Sequence, residues 1–496
     1  MTGTSRPRAG GTASRGATIL MGVTLMAGPV LSMVDSSVVN VAVPVIVRDL
    51  HTSLDAAAWA VSGYLLGLAG GLAATPWLAR RFGTMPAYTA VLLGFTLASA
   101  ACALAPDVGL LIATRVVQGL VGAPMVPLAL GRLLGERGEA QNMPLSAGLM
   151  FFAAPALGPA VGGLLISGFG WRSVFLINVP IGLAALAGAM AARRPAQGEQ
   201  AGAGGGGDPA GGGDPRGGGD PAARPDILGL ALLGAGLGLA TYGASQGPAS
   251  GWLSAGSASA WAGGLVLVAA YAAWARKAPG RGTPPAVNLA LLRSPRWART
   301  LLLCCAASVV LFSMLFLAPV FLQQVQRHSA TVTGLALLPQ GAVMGLAAAL
   351  GNKIVDRGRA RPAVIAASVS GGFALLAVST LGLLLLTAST PVWLTATLLC
   401  GRGLALGFTV QPLVLGLLGG LDEARLPDAN TLFNMGERLS GSFGIALLAT
   451  FYATRALASG SPVAALHDCA LVLSAVSAVG ALGALSLFRV QPPVRR

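Results

Sequence analysis

Apolar positions in this chain run in long unbroken stretches, not with the period of a helix half-exposed to water. A helix needs about 20 apolar residues to cross a bilayer. Fourteen stretches of that kind stand between Pro, Gly and charged interruptions, near 18–46, 56–77, 86–106, 108–131, 144–168, 173–192, 226–246, 258–275, 299–325, 331–351, 362–387, 391–419, 428–454 and 464–488. The pattern predicts an all-α integral membrane protein with 14 transmembrane helices. The first run is too long for a secretory signal, has no clear small-residue cleavage site and contains Asp35, so it reads as a retained span.

Residues 194–225 break the pattern. Three Gly/Asp/Pro blocks follow one another over 204–222, and nothing there can bury, so a disordered cytoplasmic linker is expected. The organisation then reads as a tail (1–17), a six-helix bundle (18–193), the linker (194–225), two inserted helices with a basic loop (226–298), a second six-helix bundle (299–488) and a tail (489–496). A weak echo links the two bundles. Arg115 begins RVVQGLVGAP and Arg402 begins RGLALGFTVQP, each with a proline nine or ten residues on, Pro124 and Pro412.

Composition narrows the class. Of 496 residues, 54% are hydrophobic and 10% charged, against about 25% charged in soluble proteins. An ordinary water-soluble enzyme is excluded. The net charge of +15 raises the possibility of a nucleic-acid partner, but its distribution points elsewhere. With both termini inside, 25 basic residues fall in cytoplasmic segments and four (Arg48, Arg172, Arg327, Arg455) in outer loops. That asymmetry labels topology. It predicts cytoplasmic termini and no nucleic-acid partner. The basic set is 30 Arg and two Lys, which with the abundant Ala and Gly suggests a bacterium with GC-rich DNA. The five cysteines lie in or beside apolar runs and read as buried hydrophobes. Neither lysine follows a glycine, so no P-loop is encoded. Gly243-Ala-Ser245-Gln-Gly247 fits a nucleophile elbow only by spacing, since it sits at a helix end and the chain has three His. No enzyme, cofactor or metal is expected.

Ionisable residues inside spans are costly and mark function by default. Five qualify: Asp35, Arg115, Arg402, Glu437 and Arg438. A proton-coupled carrier needs a side chain that takes up and releases protons, so the two acids, Asp35 and Glu437, are the candidate proton sites and possible counter-charges for a cationic substrate. Asp35 lies roughly nine residues, about 13 Å, from the outer end of its helix. Packing neutralisation by a neighbouring helix is the alternative for each acid. Arg115, beside Gln118, Gly119 and Gly122, fits a structural clamp and a proton-relay helper equally. Gly158, Pro159, Gly162 and Gly163 fit tight helix packing and a hinge between halves. Gly436, Ser440 and Gly444 form another small face.

At these residues the chain resembles the major facilitator superfamily, and within it the fourteen-span drug:proton antiporters of the quaternary-ammonium efflux type. Met33-Val-Asp35-Ser-Ser-Val-Val-Asn40-Val-Ala-Val-Pro44 is similar to the first-helix signature. Arg115-Val-Val-Gln118-Gly119 is similar to the fourth-helix motif, and Gly158-Pro159-xx-Gly162-Gly163 to the fifth-helix antiporter motif. Trp171-Arg172-Ser-Val-Phe175-Leu-Ile-Asn178-Val-Pro180-Ile-Gly182 is the segment most specific to the fourteen-span branch, and Asn434 through Gly444 fits its thirteenth helix. One loop departs. The family's Gly-x-Leu-Ala-Asp-Arg-x-Gly, followed by basic residues, is here Pro76-Trp-Leu78-Ala79-Arg80-Arg81-Phe-Gly83-Thr84-Met85, with Arg80 in place of the acid. The Asp-centred cytoplasmic latch of the family therefore has to be weaker or built differently. Asp356 and Arg357 partly fit the corresponding loop of the second half.

The resemblance implies a proton-driven exporter in the cytoplasmic membrane, working as a monomer by alternating access on a small amphipathic or cationic compound. Expected cavity residues are Trp59, Tyr64, Phe151, Phe152, Phe316, Gln323, Gln340 and Asn434, chosen because aromatic and amide groups facing lipid would serve no purpose. A proton-coupled importer and a non-transporting membrane sensor or scaffold remain as alternatives.

Overall fold

The computed structural model describes residues 11–135, 145–193, 226–277, 285, 287–357, 362–418, 421–422 and 425–485. The expected linker 194–225 and the C-terminal tail lie outside them. The described residues form helices and turns only: α1 (Gly11–Asp49), α2 (Leu54–Leu72), α3 (Thr75–Phe82), α4 (Thr84–Ala103), α5 (Val108–Gly122), α6 (Met125–Gly135), α7 (Leu145–Phe169), α8 (Ser173–Leu176), α9 (Asn178–Arg193), α10 (Ile227–Ser250), α11 (Ala255–Arg276), α12 (Pro295–Val320), α13 (Ala330–Arg357), α14 (Pro362–Leu381), α15 (Val392–Leu418), α16 (Leu426–Ser459) and α17 (Pro462–Leu485).

Twelve of these segments are long and apolar enough to cross a membrane, or thirteen if the bent pair α2–α3 counts as one span. The second expected run divides at Ala73–Ala74 with a bend of 50°, just before Pro76. The fourth divides at Ala123–Pro124, where proline removes a backbone donor. The fifth contributes Ala156–Phe169 as a shorter described apolar stretch. At the other end of the scale, α1 begins at Gly11, inside the expected tail.

Polar residues at the run ends cap helices. Asp107 accepts from Leu110 N at 2.9 Å and Asp226 from Gly229 N at 2.9 Å; Ser53, Ser254 and Ser294 do the same for α2, α11 and α12. Glycines with positive φ make the turns at Gly83, Gly170, Gly251 and Gly460.

Two bundles face one another. In the first, α2 and α5 approach to backbone contact. A Cβ on Gly67 or Gly71 would strike the carbonyls of Val116 or Leu120, and one on Gly119 would strike that of Tyr64. Small residues permit this approach in a membrane helix pair. The bundles meet along three lines. Gly163 lies against Ala330, and Gly334 against Pro159, joining α7 to α13. Gln323 Nε2 donates to Val41 O at 2.9 Å, joining the end of α12 to α1. Ser442 Oγ donates to Ser62 O at 2.8 Å, joining α16 to α2. Thr331 adds bonds to Ser167 Oγ and Gly163 O. These contacts occupy the middle of the molecule and the face that holds the C-terminal end of α1. The opposite face holds α3, at the far end of α2.

The inserted pair α10–α11 lies along the α2–α16 line. Tyr242 of α10 packs on Trp59 of α2 at 6.1 Å between centroids, and Trp261 of α11 on Phe443 of α16 at 6.3 Å.

Candidate functional site

Asp35, near the middle of α1, sits inside the first bundle. Its side chain and that of Arg115 both have no solvent exposure, and Arg115 Nη1 donates to Asp35 Oδ2 at 2.5 Å. The other carboxylate oxygen, Oδ1, accepts from Asn178 Nδ2 at 2.8 Å and from Gln118 Nε2 at 3.3 Å. All the partners are donors, so the acceptor they enclose is a carboxylate. Ser99 Oγ ties the two amides together, accepting from Gln118 Nε2 at 2.6 Å and Asn178 Nδ2 at 3.2 Å. Five elements meet here: α1, α2, α4, α5 and α9.

Arg115 is held from every side but one. Its Nε donates to Ala60 O at 3.0 Å and its Nη1 to Gln118 Oε1 at 2.7 Å. The guanidinium carbon stands 3.9 Å from the centre of the Tyr64 ring and 5.5 Å from that of Phe175, a cation–π enclosure. Nη2 has no partner. The glycine-mediated closeness of α2 and α5 is what brings the Ala60 carbonyl within reach. Arg115 thus joins α1, α2 and α5 and is the direct counter-charge of Asp35.

Asn178, Ser99 and Cys102, whose Sγ contacts Gln118 Oε1 at 3.4 Å, were not anticipated as members of this site. Asn178 had a signal: it lies within the Trp171–Gly182 segment. That segment forms the wall of the site. Trp171 is buried and packs edge-on against Phe175. Arg172 covers the Trp171 ring at 4.3 Å and donates to Ala105 O at 3.1 Å, fixing the α7–α8 turn so that α9 delivers Asn178. Ser99 carried no signal in a single sequence.

The second acid is differently placed. Glu437 and Arg438 on α16 are half-buried, and Glu437 has no hydrogen-bond or ion-pair partner among the described residues. Arg438 lies 5.9 Å from the Phe312 ring. Asn434 bonds to Asn430 one turn earlier, so α16 bears a polar stripe toward the α3 face. The small face of Gly436 and Gly444 packs on α12, at Leu301 and Cys305, and at Val309 and Ser313.

The expected cavity residues do not form one surface. Tyr64 belongs to the Arg115 enclosure. Trp59 faces α10, Gln323 bridges the bundles, Phe316 is fully buried, and Gln340 is buried where α13 meets Gly403 of α15. The side chains of Phe151, Phe152, Asp356 and Arg357 lie outside the described residues. A shallow apolar crevice between α2, α10 and α16, lined by Leu66, Leu230, Leu233, Leu237, Met435 and Leu439, has room for little more than a water molecule; it offers contact to apolar groups and no polar recognition. Arg80 is exposed, Arg81 packs on Phe82 at 5.9 Å, and Gly83 turns the chain into α4 with φ of 79°. Gly158 and Gly162 pack on Ser37 and Val38 of α1, so the fifth-span motif is wedged between α1 and α13. No group of three or more metal-ligating side chains occurs among the described residues.

Two helical bundles meeting along a seam, with a charge pair sealed inside one of them, define a polytopic membrane transporter. The family model of the Major Facilitator Superfamily matches residues 25–445, and the chain belongs to that superfamily. A "Multidrug resistance protein B homolog" of Mycobacterium tuberculosis is 30% identical over 435 residues, covering 86% of this chain and 74% of the relative. A "Tetracenomycin C resistance and export protein" of Streptomyces glaucescens is 30% identical over 444 residues, with the same coverage of 86% and 74%. The fold is also that of an auto-inhibited POT family peptide transporter of known structure, with a TM-score of 0.63 at 14% identity over 96% of this chain and 98% of that one. The chain is therefore a multi-pass plasma-membrane transporter of the drug-efflux type, acting on a small molecule, and not an enzyme.

Proposed function

We propose that this transporter exports a small organic compound in exchange for protons, by alternating access, as a monomer without a cofactor. The observation that carries the reading is the sealed Asp35–Arg115 pair. The three donors that hold this carboxylate all favour its charged form, so taking up a proton weakens their hold on it. Proton arrival at Asp35 cancels the charge that holds Arg115, leaving the guanidinium to Ala60 O, Gln118 and the Tyr64 ring. The α1–α5 contact then loosens, and α1 is the helix against which the fifth span and Gln323 close the seam. Protonation and seam opening are coupled in this way through one helix. Glu437, half-buried and unpaired, is the second proton or cation site.

The reading includes fourteen spans, with the bent α2–α3 pair and α7 each crossing once, and cytoplasmic termini. The sealed face is then the outer one, and the α16 polar stripe faces the cytoplasm. Residues 18–193 and 299–488 are the moving bundles, 194–225 a cytoplasmic linker, and 226–298 an addition to the seam. Gly158, Pro159, Gly162 and Gly163 serve as the hinge. The names of the two relatives support a drug or a resistance-linked metabolite as cargo, amphipathic or cationic, in a GC-rich bacterium.

The test is efflux in everted vesicles under an imposed pH gradient, scaled to the amount of folded protein. Wild type should accumulate substrate when the lumen is acid. Asp35→Asn should abolish the gradient-dependent part. Normal gradient-driven accumulation by the variant would overturn the mechanism, and movement in the opposite direction would make the protein an importer.

A further inference from the structure

Apart from charges near helix ends, such as the Arg455–Asp468 pair, the spans contain three bases and two acids, and the structure shows which base is left over. Asp35 pairs with Arg115, while Glu437 and Arg438 are neighbours on a half-buried surface. Arg402, in the middle of α15, has no solvent exposure and no acidic partner among the described residues. Its Nη1 donates to Thr380 Oγ1 and its Nη2 to Val310 O at 3.3 Å. Its Nε donates to nothing.

The echo between the halves explains the missing acid. Pro44 follows Asp35 by nine residues in α1, and Pro319 follows Val310 by nine in α12. Arg115 reaches Asp35; Arg402 reaches the backbone of Val310. The second bundle keeps the cation and has an apolar side chain where the first has the carboxylate. A guanidinium does not shed its proton in a protein, and an uncompensated buried charge is strongly destabilising. The two neutral oxygens at Thr380 and Val310 supply hydrogen bonds but no charge.

We propose that Arg402 is the centre of a buried site for one small monovalent anion, a halide or a carboxylate. The unused donors fit that ligand. Besides Nε, the Thr395 hydroxyl is buried without a partner; it lies two turns earlier on the same face of α15, the direction in which a helical Arg side chain leans. Hydroxyls can turn to donate. A single negative charge balances the spans, whereas a dianion would reverse the excess. The ion can come from the medium or as the acidic group of a transported compound. The proposal does not depend on the direction or the driving ion of transport.

The test uses full-length protein in detergent, with gluconate as the bulky background anion at constant ionic strength. Sodium chloride should raise the thermal midpoint saturably, by about 2 °C or more. Arg402→Gln should abolish the saturable rise and be no less stable than wild type without chloride, since the unpaired charge is gone. Bromide soaked into crystals should appear by anomalous scattering beside Nε. Formate distinguishes the sources. If it gives the same rise and displaces chloride, the site accepts carboxylates, and acidic compounds should be exported faster than their esters in an Arg402-dependent way. If only halides act, the ion is inorganic. No chloride response in wild type, or an equal one in Arg402→Gln, would overturn the proposal and leave water as the occupant. Should Arg402→Gln fail to fold, Thr395→Val takes its place: it should raise the half-saturating chloride concentration several-fold, and an unchanged value would overturn the site.

Discussion

Replacing Asp35 by Asn and Arg115 by Gln together should cost far less stability than the sum of the two single replacements. Arg115 Nη1 and Asp35 Oδ2 are 2.5 Å apart, with both side chains wholly buried. Two unit charges about 4 Å apart at an effective dielectric of about 20 attract by about 4 kcal/mol. Each single variant leaves one buried charge unpaired, which costs about 3–5 kcal/mol. Asp35→Asn also weakens the bonds from Asn178 and Gln118 to Oδ1. Arg115→Gln leaves the carboxylate with those amides alone. The double variant removes both charges, and the remaining amides can bond to one another. Its cost should fall short of the sum of the singles by at least about 2 kcal/mol. Unfolding by SDS titration in mixed micelles, followed by tryptophan fluorescence, measures all four proteins. Additive effects, within about 0.5 kcal/mol as expected for independent sites, would refute the pairing and with it the proton-for-guanidinium exchange.

Three further substitutions probe the surroundings of the pair. Asn178→Ala removes a 2.8 Å bond to the carboxylate and should cost about 1.5–3 kcal/mol in the same titration; a loss below half a kcal/mol would show that α9 does not brace Asp35. Ser442→Ala removes the bond to Ser62 O across the seam, worth about 1 kcal/mol, so the seam-open population should rise about fivefold, read as faster labelling of a cysteine placed at Ala330, which is buried at the seam. Arg80→Ala should shift stability by less than about 0.5 kcal/mol, because the side chain is exposed; a large loss would reveal a contact made by the loop that replaces the family latch.

The spans were legible because the bilayer imposes one rule on every helix, an apolar length, and twelve of the described segments obey it. Where they broke was legible less often. Pro124 divides its run as proline should, and the 50° bend between α2 and α3 falls just before Pro76, whereas Pro29, Pro44 and Pro412 stand inside unbroken helices. In the site, Asp35 and Arg115 stood out as charges in apolar runs, but their pairing did not, since residues 80 positions apart meet only when α1 and α5 pack. Ser99 is an ordinary small polar residue until Gln118 and Asn178 bond to it. The cavity set failed for a related reason: an aromatic or amide side chain in a span must avoid lipid, yet Trp59 does so against the inserted α10 and Gln323 by bonding Val41, neither of them in a shared cavity.

The two arginines of the echo show how a repeated fold can divide its labour. In the first bundle the cation is neutralised by a carboxylate of the same chain, so its hold on α1 can be relaxed by a single proton. In the second, Val310 takes the acid's place, and no acid among the described residues answers Arg402. Under the proposed scheme one bundle responds to protons and the other to anions. Their movements are joined through the α7–α13 contact, where Gly163 and Gly334 bring backbone against backbone and leave no side chain to absorb a displacement. A shift of α1 therefore reaches α13 through α7. α15 packs on α13 at Gly403 and Gly407, which extends the same path to Arg402.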